Sequence, residues 1–314
     1  MASIDLAQSR ARSSLKKRRS ATTYRELPIH AFLFACAALT IATTFGIVVV
    51  LFEETYFFFK EVSIFDFFTD TQWTPLFTDK HFGVLPLISA TMLMALIAMV
   101  FALPLGLAVA IYLSEYAPHR LRSVVKPILE LLAGVPTVVY GYFAIQFISP
   151  HVVRGLFGAE TSLFNALCAG MAMAIMILPL ISSLSEDAMR SVPQALREGA
   201  YGLGANRFEV ATRVVLPAAL SGVVAACILA VSRAVGETMI VTIAAGQIPN
   251  LSWNPLETMM AMTAYIVQVS LGDTPRGTIE YSTIFAIGST LFIFTLLLNV
   301  FAQWLLSKFR EVYD

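Results

Sequence analysis

The chain has 314 residues, 57% of them hydrophobic and 13% charged, with 21 basic residues balancing 21 acidic ones. So apolar a composition excludes an ordinary soluble enzyme and a disordered chain, and it indicates an integral membrane protein. A net charge of zero offers no overall field for nucleic acid, and the cysteines and histidines fall at no metal-ligand spacing. Cys36, Cys168 and Cys227 lie inside apolar runs as small buried residues, while His30, His81, His119 and His151 lie at segment ends, so neither a disulfide framework nor a metal site is expected.

Residues 1–29 hold seven of the basic residues, including Lys16, Lys17, Arg18 and Arg19, and read as a disordered cytoplasmic tail. The apolar run at 30–52 is long enough to span a bilayer and lacks a small-residue cleavage site, so it reads as a first transmembrane helix rather than a signal peptide. Residues 53–86 are aromatic and acidic; Trp73, Pro75 and Gly83 break any long helix, and the phenylalanines are expected to lie flat at the outer interface. A second span follows at 87–113, with Pro104 and Gly106 inside it, and then a basic loop carrying Arg120, Arg122 and Lys126.

The third span is expected at 127–149. Gly134, Pro136 and Gly141 interrupt it, either as a broken helix along a path or as small residues packing on a neighbour. Spans four, five and six are expected at 163–184, 218–243 and 281–306. Between the last two lies an outer segment, 247–280, whose apolar stretch at 259–271 reads as an interfacial or re-entrant helix. Residues 87–306 thus form the core, and 307–314 a cytoplasmic C-terminal end.

Charge orients these spans. The tail contributes seven lysines and arginines, the 114–126 loop three, the 185–217 loop four and the C-terminal end two, whereas the opposite side has Lys60, Lys80, Arg154 and Arg276. The positive-inside rule then places both termini and the 185–217 loop in the cytoplasm.

Within that loop, residues 191–217 are polar and densely patterned. Ser191 and Gln194 have capping-box spacing with Pro193 in the first turn, Gly202 and Gly204 end the helix, and Asn206 with Glu209 starts another. Pro217 fixes the angle at which the chain enters the next span. The expected product is a helix, a glycine turn and a second helix that stand out from the membrane as a docking element.

One basic residue lies inside a span. Arg233 is followed four residues later by Glu237, and on a continuous helix the two share a face and pair. A charge at that depth costs from about 3 to more than 10 kcal/mol, so it has either a packing role or a role on a path. A guanidinium suits an oxyanion such as phosphate through two-point contact and stays cationic at working pH. Glu237 would hold Arg233 when the site is empty. Thr137, Tyr140 and Thr238 either line the same path or pack within the bundle.

The pattern Glu198-Gly199-Ala200, three residues, Gly204, nine residues, Val214, one residue, Leu216-Pro217 resembles the EAA loop of ABC importer permeases, departing at Gly199 where alanine is usual. From about residue 30, the stretches WTPLFTDKHFGVLPL, PLGLAVAIYLSEYAP, KPILELLAGVPTVVYG and SRAVGETM, with that loop, resemble the PstC-type permease subunits of phosphate-specific ABC importers. The resemblance implies an all-α type I ABC importer permease fold with six transmembrane helices, the first peripheral, in a bacterial inner membrane.

It further implies a heterodimer with a PstA-type permease, a PstB-type ATP-binding dimer below and a PstS-type phosphate-binding protein above. Glu198, Gly199, Ala200, Gly204, Leu216 and Pro217 would couple ATP-driven closure to alternating access, and inorganic phosphate would pass Arg233 and Glu237. A protonated phosphate can donate a hydrogen bond to Glu237 and sulfate at neutral pH cannot, which would favour phosphate. A permease for another oxyanion, such as sulfate or molybdate, is the alternative. The chain has no GxxxxGK[ST] loop, no HExxH and no Ser/His/Asp set, so it is expected to be a non-catalytic subunit without a cofactor of its own.

Overall fold

A computed structural model describes residues 2–309, with side chains at Glu26 and over residues 28–304. Residues 2–29, expected as a disordered tail, are helical in their described backbone, while most side chains of that tail and of the C-terminal end lie outside the described residues. The chain divides into two units, Met1–Glu53 and Glu54–Asp314. Among the described residues the regular structure is helical, apart from one isolated antiparallel bridge between Trp73 and Phe82.

Four helices are long and apolar enough to cross a membrane. They are α1, Ala2–Glu61, through its Pro28–Glu61 part; α3, Leu85–Tyr116, which follows the short α2, Ile64–Thr69; α6, Ala166–Arg190; and α12, Ile279–Phe309. Two bent pairs bring the number of spans to six by length and composition. In the first, α4, His119–Ala133, meets α5, Thr137–Phe157, at 89°. In the second, α8, Arg207–Ala218, meets α9, Leu220–Val235, at 72°.

The break expected at Gly134 and Pro136 is present: they separate α4 from α5, and the bent pair is either a broken span or a re-entrant loop. α4 has its apolar residues on one side and its basic residues on the other, and such a helix is suited to a surface or a boundary rather than to crossing. The Tyr140 hydroxyl donates to the Leu132 carbonyl at 2.7 Å and closes the bend.

The core forms where α3 lies on α6. Leu87, Ala90, Met94, Ala98, Ala102, Gly106 and Ala110 recur every three or four residues, so they make one buried face of α3. Small residues let the backbones approach: a Cβ at Gly106 would stand 2.9 Å from Ile181 Cγ2, and one at Gly170 only 2.5 Å from Ile97 Cγ2.

The aromatic segment at 53–86 is folded in rather than flat. α1 continues to Glu61, and Phe58, Phe67 and Trp73 are buried, joined edge to face with Phe82 and Tyr265. A flat interfacial arrangement would have left those rings wet, whereas edge-to-face packing buries them against one another. Phe57, Phe65 and Phe68 do remain exposed. The outer segment likewise inserts: residues 259–265 are buried, and α11, Met262–Leu271, begins with the Met262 N–H donating to Thr91 Oγ1 of α3.

Candidate functional site

The docking element folds as helix, glycine turn and helix. α7, Gln194–Gly202, starts after Pro193, and Gly204 takes φ +89°, the left-handed conformation that glycine adopts without strain. At Asn206 the capping box is complete: its side chain accepts from the Glu209 N–H at 3.0 Å, and its own N–H donates to Glu209 Oε2 at 2.9 Å. The capping box expected at Ser191 is absent. α6 runs on to Arg190, so Ser191 is its C-terminal cap and its hydroxyl donates back to the Ala188 carbonyl. Leu216 and Pro217 lie at the end of α8, immediately before the 72° bend into α9.

None of the α7 residues is buried. Glu198 and Gly199 are exposed, Ala200 half-buried, and Leu203 is 91% exposed. Phe208, just beyond the turn, is exposed as well, so the element presents apolar side chains and a carboxylate together. Behind it lies a cleft of about 560 Å³ lined by Glu115, Arg190, Arg197, Arg207 and Tyr201 among others. Arg197 was not singled out from the sequence. Its guanidinium donates to the Val192 carbonyl at 2.6 Å, to the Met189 carbonyl at 2.8 Å and to Glu115 Oε1 at 3.1 Å.

A second ionic cluster lies nearby. Glu186 of α6, with its side chain fully buried, faces Arg122 Nε at 2.7 Å and Lys126 Nζ at 2.8 Å, both from α4. Lys126 also pairs with Asp187. The Arg122 approach is an ion pair without hydrogen-bond alignment, since neither Arg122 Nε nor Glu186 Oε1 has a properly directed partner.

The expected Arg233–Glu237 pair does not form. α9 ends at Val235, Gly236 caps it, and the chain restarts as α10, Met239–Ala244. With the helix broken between them, residues 233 and 237 no longer share a face. The buried Glu237 instead accepts from the Met239 and Ile240 N–H groups at 3.1 and 3.3 Å, capping α10 with its own carboxylate. Its backbone carbonyl accepts from Thr263 Oγ1 at 2.7 Å.

Arg233 is exposed in the last turn of α9, and among the described residues no carboxylate lies within ion-pair distance of it. Tyr140 lies within its electrostatic reach. Next to Arg233, Ser232 Oγ donates to Asn299 Oδ1 of α12 at 2.8 Å. Thr238 sits in the break, its hydroxyl turned to the Gly236 carbonyl at 3.3 Å, and Thr137 begins α5 half-buried. The site is thus a broken span that presents the Arg233 guanidinium with no ion-pair partner among the described residues.

Residues 102–311 match the family described as binding-protein-dependent transport system inner membrane component. The chain is 33% identical over 276 residues to the probable ABC transporter permease protein YqgH of Bacillus subtilis, covering 87% of this chain and 88% of that protein. It is 32% identical to the phosphate transport system permease protein PstC of Mesorhizobium japonicum, covering 94% and 95%. Among solved structures, a chain of a bacterial ABC transporter involved in the import of the acidic polysaccharide alginate superposes with TM-score 0.67 at 18% identity, over 94% of this chain and 100% of that one. An inward-facing MetNI methionine ABC transporter chain gives 0.54 at 18% identity, over 73% and 95%. At such identities these two establish a shared fold.

Proposed function

The chain belongs to the binding-protein-dependent transport system inner membrane components, as a PstC-type ABC permease with the type I importer fold, and we propose that it forms half of the translocation path of an ATP-driven inorganic phosphate importer. It is a multi-pass membrane subunit without catalytic chemistry of its own. The observation that carries the site is Arg233. A cation at the end of a membrane helix, with no carboxylate of the described residues within ion-pair distance, has a desolvation cost that an arriving anion offsets. Arg233 is thirteen residues past Leu220, about 20 Å along a straight helix, so in a ~30 Å hydrocarbon layer entered at Leu220 it lies about 5 Å past the midplane toward the outer side.

In this reading the exposed face of α9 is covered by a PstA-type permease, and the anion path runs between the two. Glu237 serves the path indirectly: it holds the break that ends α9 at Val235, with Arg233 in its last turn. The selectivity attributed to a direct Glu237–phosphate bond loses its basis, because that carboxylate is committed to the amides of α10. The excess of lysines and arginines in the loops on one side supports a cytoplasmic position for both termini and α7–α8, where Glu198, Gly199, Ala200, Gly204, Leu216 and Pro217 would dock on a PstB-type ATP-binding dimer. A PstS-type protein delivers phosphate on the opposite side.

The test is labelled phosphate uptake, with sulfate as competitor, in cells lacking their own phosphate importers and carrying the four-subunit system. Arg233→Gln should abolish uptake while assembly and membrane abundance stay normal. Unchanged uptake would make Arg233 a packing residue, and a block by sulfate in the unaltered protein would move the substrate to another oxyanion.

A further inference from the structure

We propose that Arg197 is the strut that transmits movement of the docking element into the membrane helices, with Glu115 as its anchor on α3. This rests on the reading of α7–α8 as the surface that meets the ATP-binding subunit. α7 has no fully buried residue, and its hydrophobic seat is confined to Ala200, which packs against the cluster that includes Val192 and Val210. Its backbone connection onward runs through the left-handed Gly204 turn, a compliant joint. Arg197 provides a direct link.

The link joins three elements at one guanidinium. Nη1 and Nη2 satisfy the carbonyls of Val192 and Met189, at and beyond the C-terminal end of α6, where a cation also suits the helix dipole. Nη2 also reaches Glu115 Oε1, while Nε stands 3.5 Å from Oε2. Glu115 lies in the π-helical last turn of α3, Tyr112–Tyr116, and Ser114 Oγ donates to the same Oε1 at 2.9 Å. The side chains of Arg197 and Glu115 are 11% and 6% exposed, so the pair is largely shielded from water and ions.

α3 and α6 are the helices that pack along the core, so a displacement of α7 carried by Arg197 enters both at once. The planar fork is what the geometry requires. A lysine ammonium is a point charge on a flexible stem, and it does not hold a carboxylate and two carbonyls in fixed directions. Exposed Glu198, the neighbouring residue, is left free for the docking face.

The test measures ATP hydrolysed per phosphate transported by the reconstituted four-subunit complex in proteoliposomes, comparing the unaltered chain with Arg197→Ala, Arg197→Lys and Glu115→Gln. The expected result for Arg197→Ala is ATP hydrolysis within twofold of normal and uptake lowered about tenfold, so the ratio rises about tenfold. Arg197→Lys should recover part of the coupling, and Glu115→Gln, which keeps the shape but loses the charge, should raise the ratio about threefold. A ratio unchanged in Arg197→Ala and Glu115→Gln, whether or not the amounts of complex fall, would overturn the proposal. If Arg197→Ala does not assemble, Glu115→Gln decides alone. Failure of the unaltered complex to move phosphate would instead sink the importer reading before any variant is compared.

Discussion

Ser232 on α9 and Asn299 on α12 meet through a 2.8 Å hydrogen bond one residue before Arg233. That contact fixes the rotation of α9 at the turn where the guanidinium emerges. An interhelical hydrogen bond in a membrane contributes about 0.6 kcal/mol on average, so its value here is directional more than energetic. Asn299→Leu should leave membrane abundance within about 20% of normal and lower phosphate uptake several-fold. Uptake equal to the unaltered protein, at equal abundance, would remove the positioning role.

Glu186 is a buried carboxylate held between two cations. Removing one member of a buried ionic group strands the others, at a cost of about 3–5 kcal/mol. Glu186→Ala should therefore lower the melting temperature of the detergent-solubilised protein sharply, and Glu186→Gln less, since an amide keeps the shape and one acceptor. Asp187, more than half exposed, is the control, and Asp187→Ala should cost no more than about 1 kcal/mol. Equal melting for Glu186→Ala and Asp187→Ala would show that the cluster does not clamp α4 to α6.

The α3–α6 seam depends on glycine. A methyl group at Gly170 meets Ile97 Cγ2 at 2.5 Å and Ile97 Cβ at 2.7 Å, with the Met94 carbonyl at 3.2 Å behind. Overpacking of this kind costs about 1–3 kcal/mol. Thermal unfolding should show Gly170→Ala destabilised, and Gly170→Ala combined with Ile97→Ala less destabilised than the two single changes added together. Strict additivity would mean that the two residues do not clash.

Glu257 lies in the outer loop with its carboxylate held by neutral donors. Hydrogen bonds from Ser252, Asn254 and Asn250 outweigh the desolvation that opposes them and set its pKa below the usual 4.5. A folded value below the unfolded one means that the stabilising contribution is complete above about pH 4.5 and fades as the pH falls through the folded value. Infrared difference spectra of the unaltered protein against Glu257→Gln should show the carboxylate band lost with a midpoint below 4.5. A midpoint at or above that value would contradict the loop geometry.

Much of the arrangement was legible along the chain because it depends on neighbours within about four residues. The apolar runs, the glycine turn at Gly204 and the Asn206–Glu209 capping box are local, and the structure has each of them. The failures occurred where two local rules competed. Ser191 has capping-box spacing to Gln194 yet serves as a C-terminal cap, because α6 extends to it. Arg233 and Glu237 have ion-pair spacing on a helix, yet Gly236 ends the helix first and the carboxylate caps the next one.

By itself the sequence determined the apolar runs that can cross a membrane and the helix–turn–helix of the docking element, since hydropathy and turn chemistry are properties of consecutive residues. Only the tertiary structure decided that Arg197 meets Glu115, that Lys126 meets Glu186, and that Ser232 meets Asn299. Those partners lie 82, 60 and 67 residues apart. Which of them meet depends on how each helix is bent and rotated about its axis, and that rotation is set by the fit of small and large side chains across seams such as α3–α6.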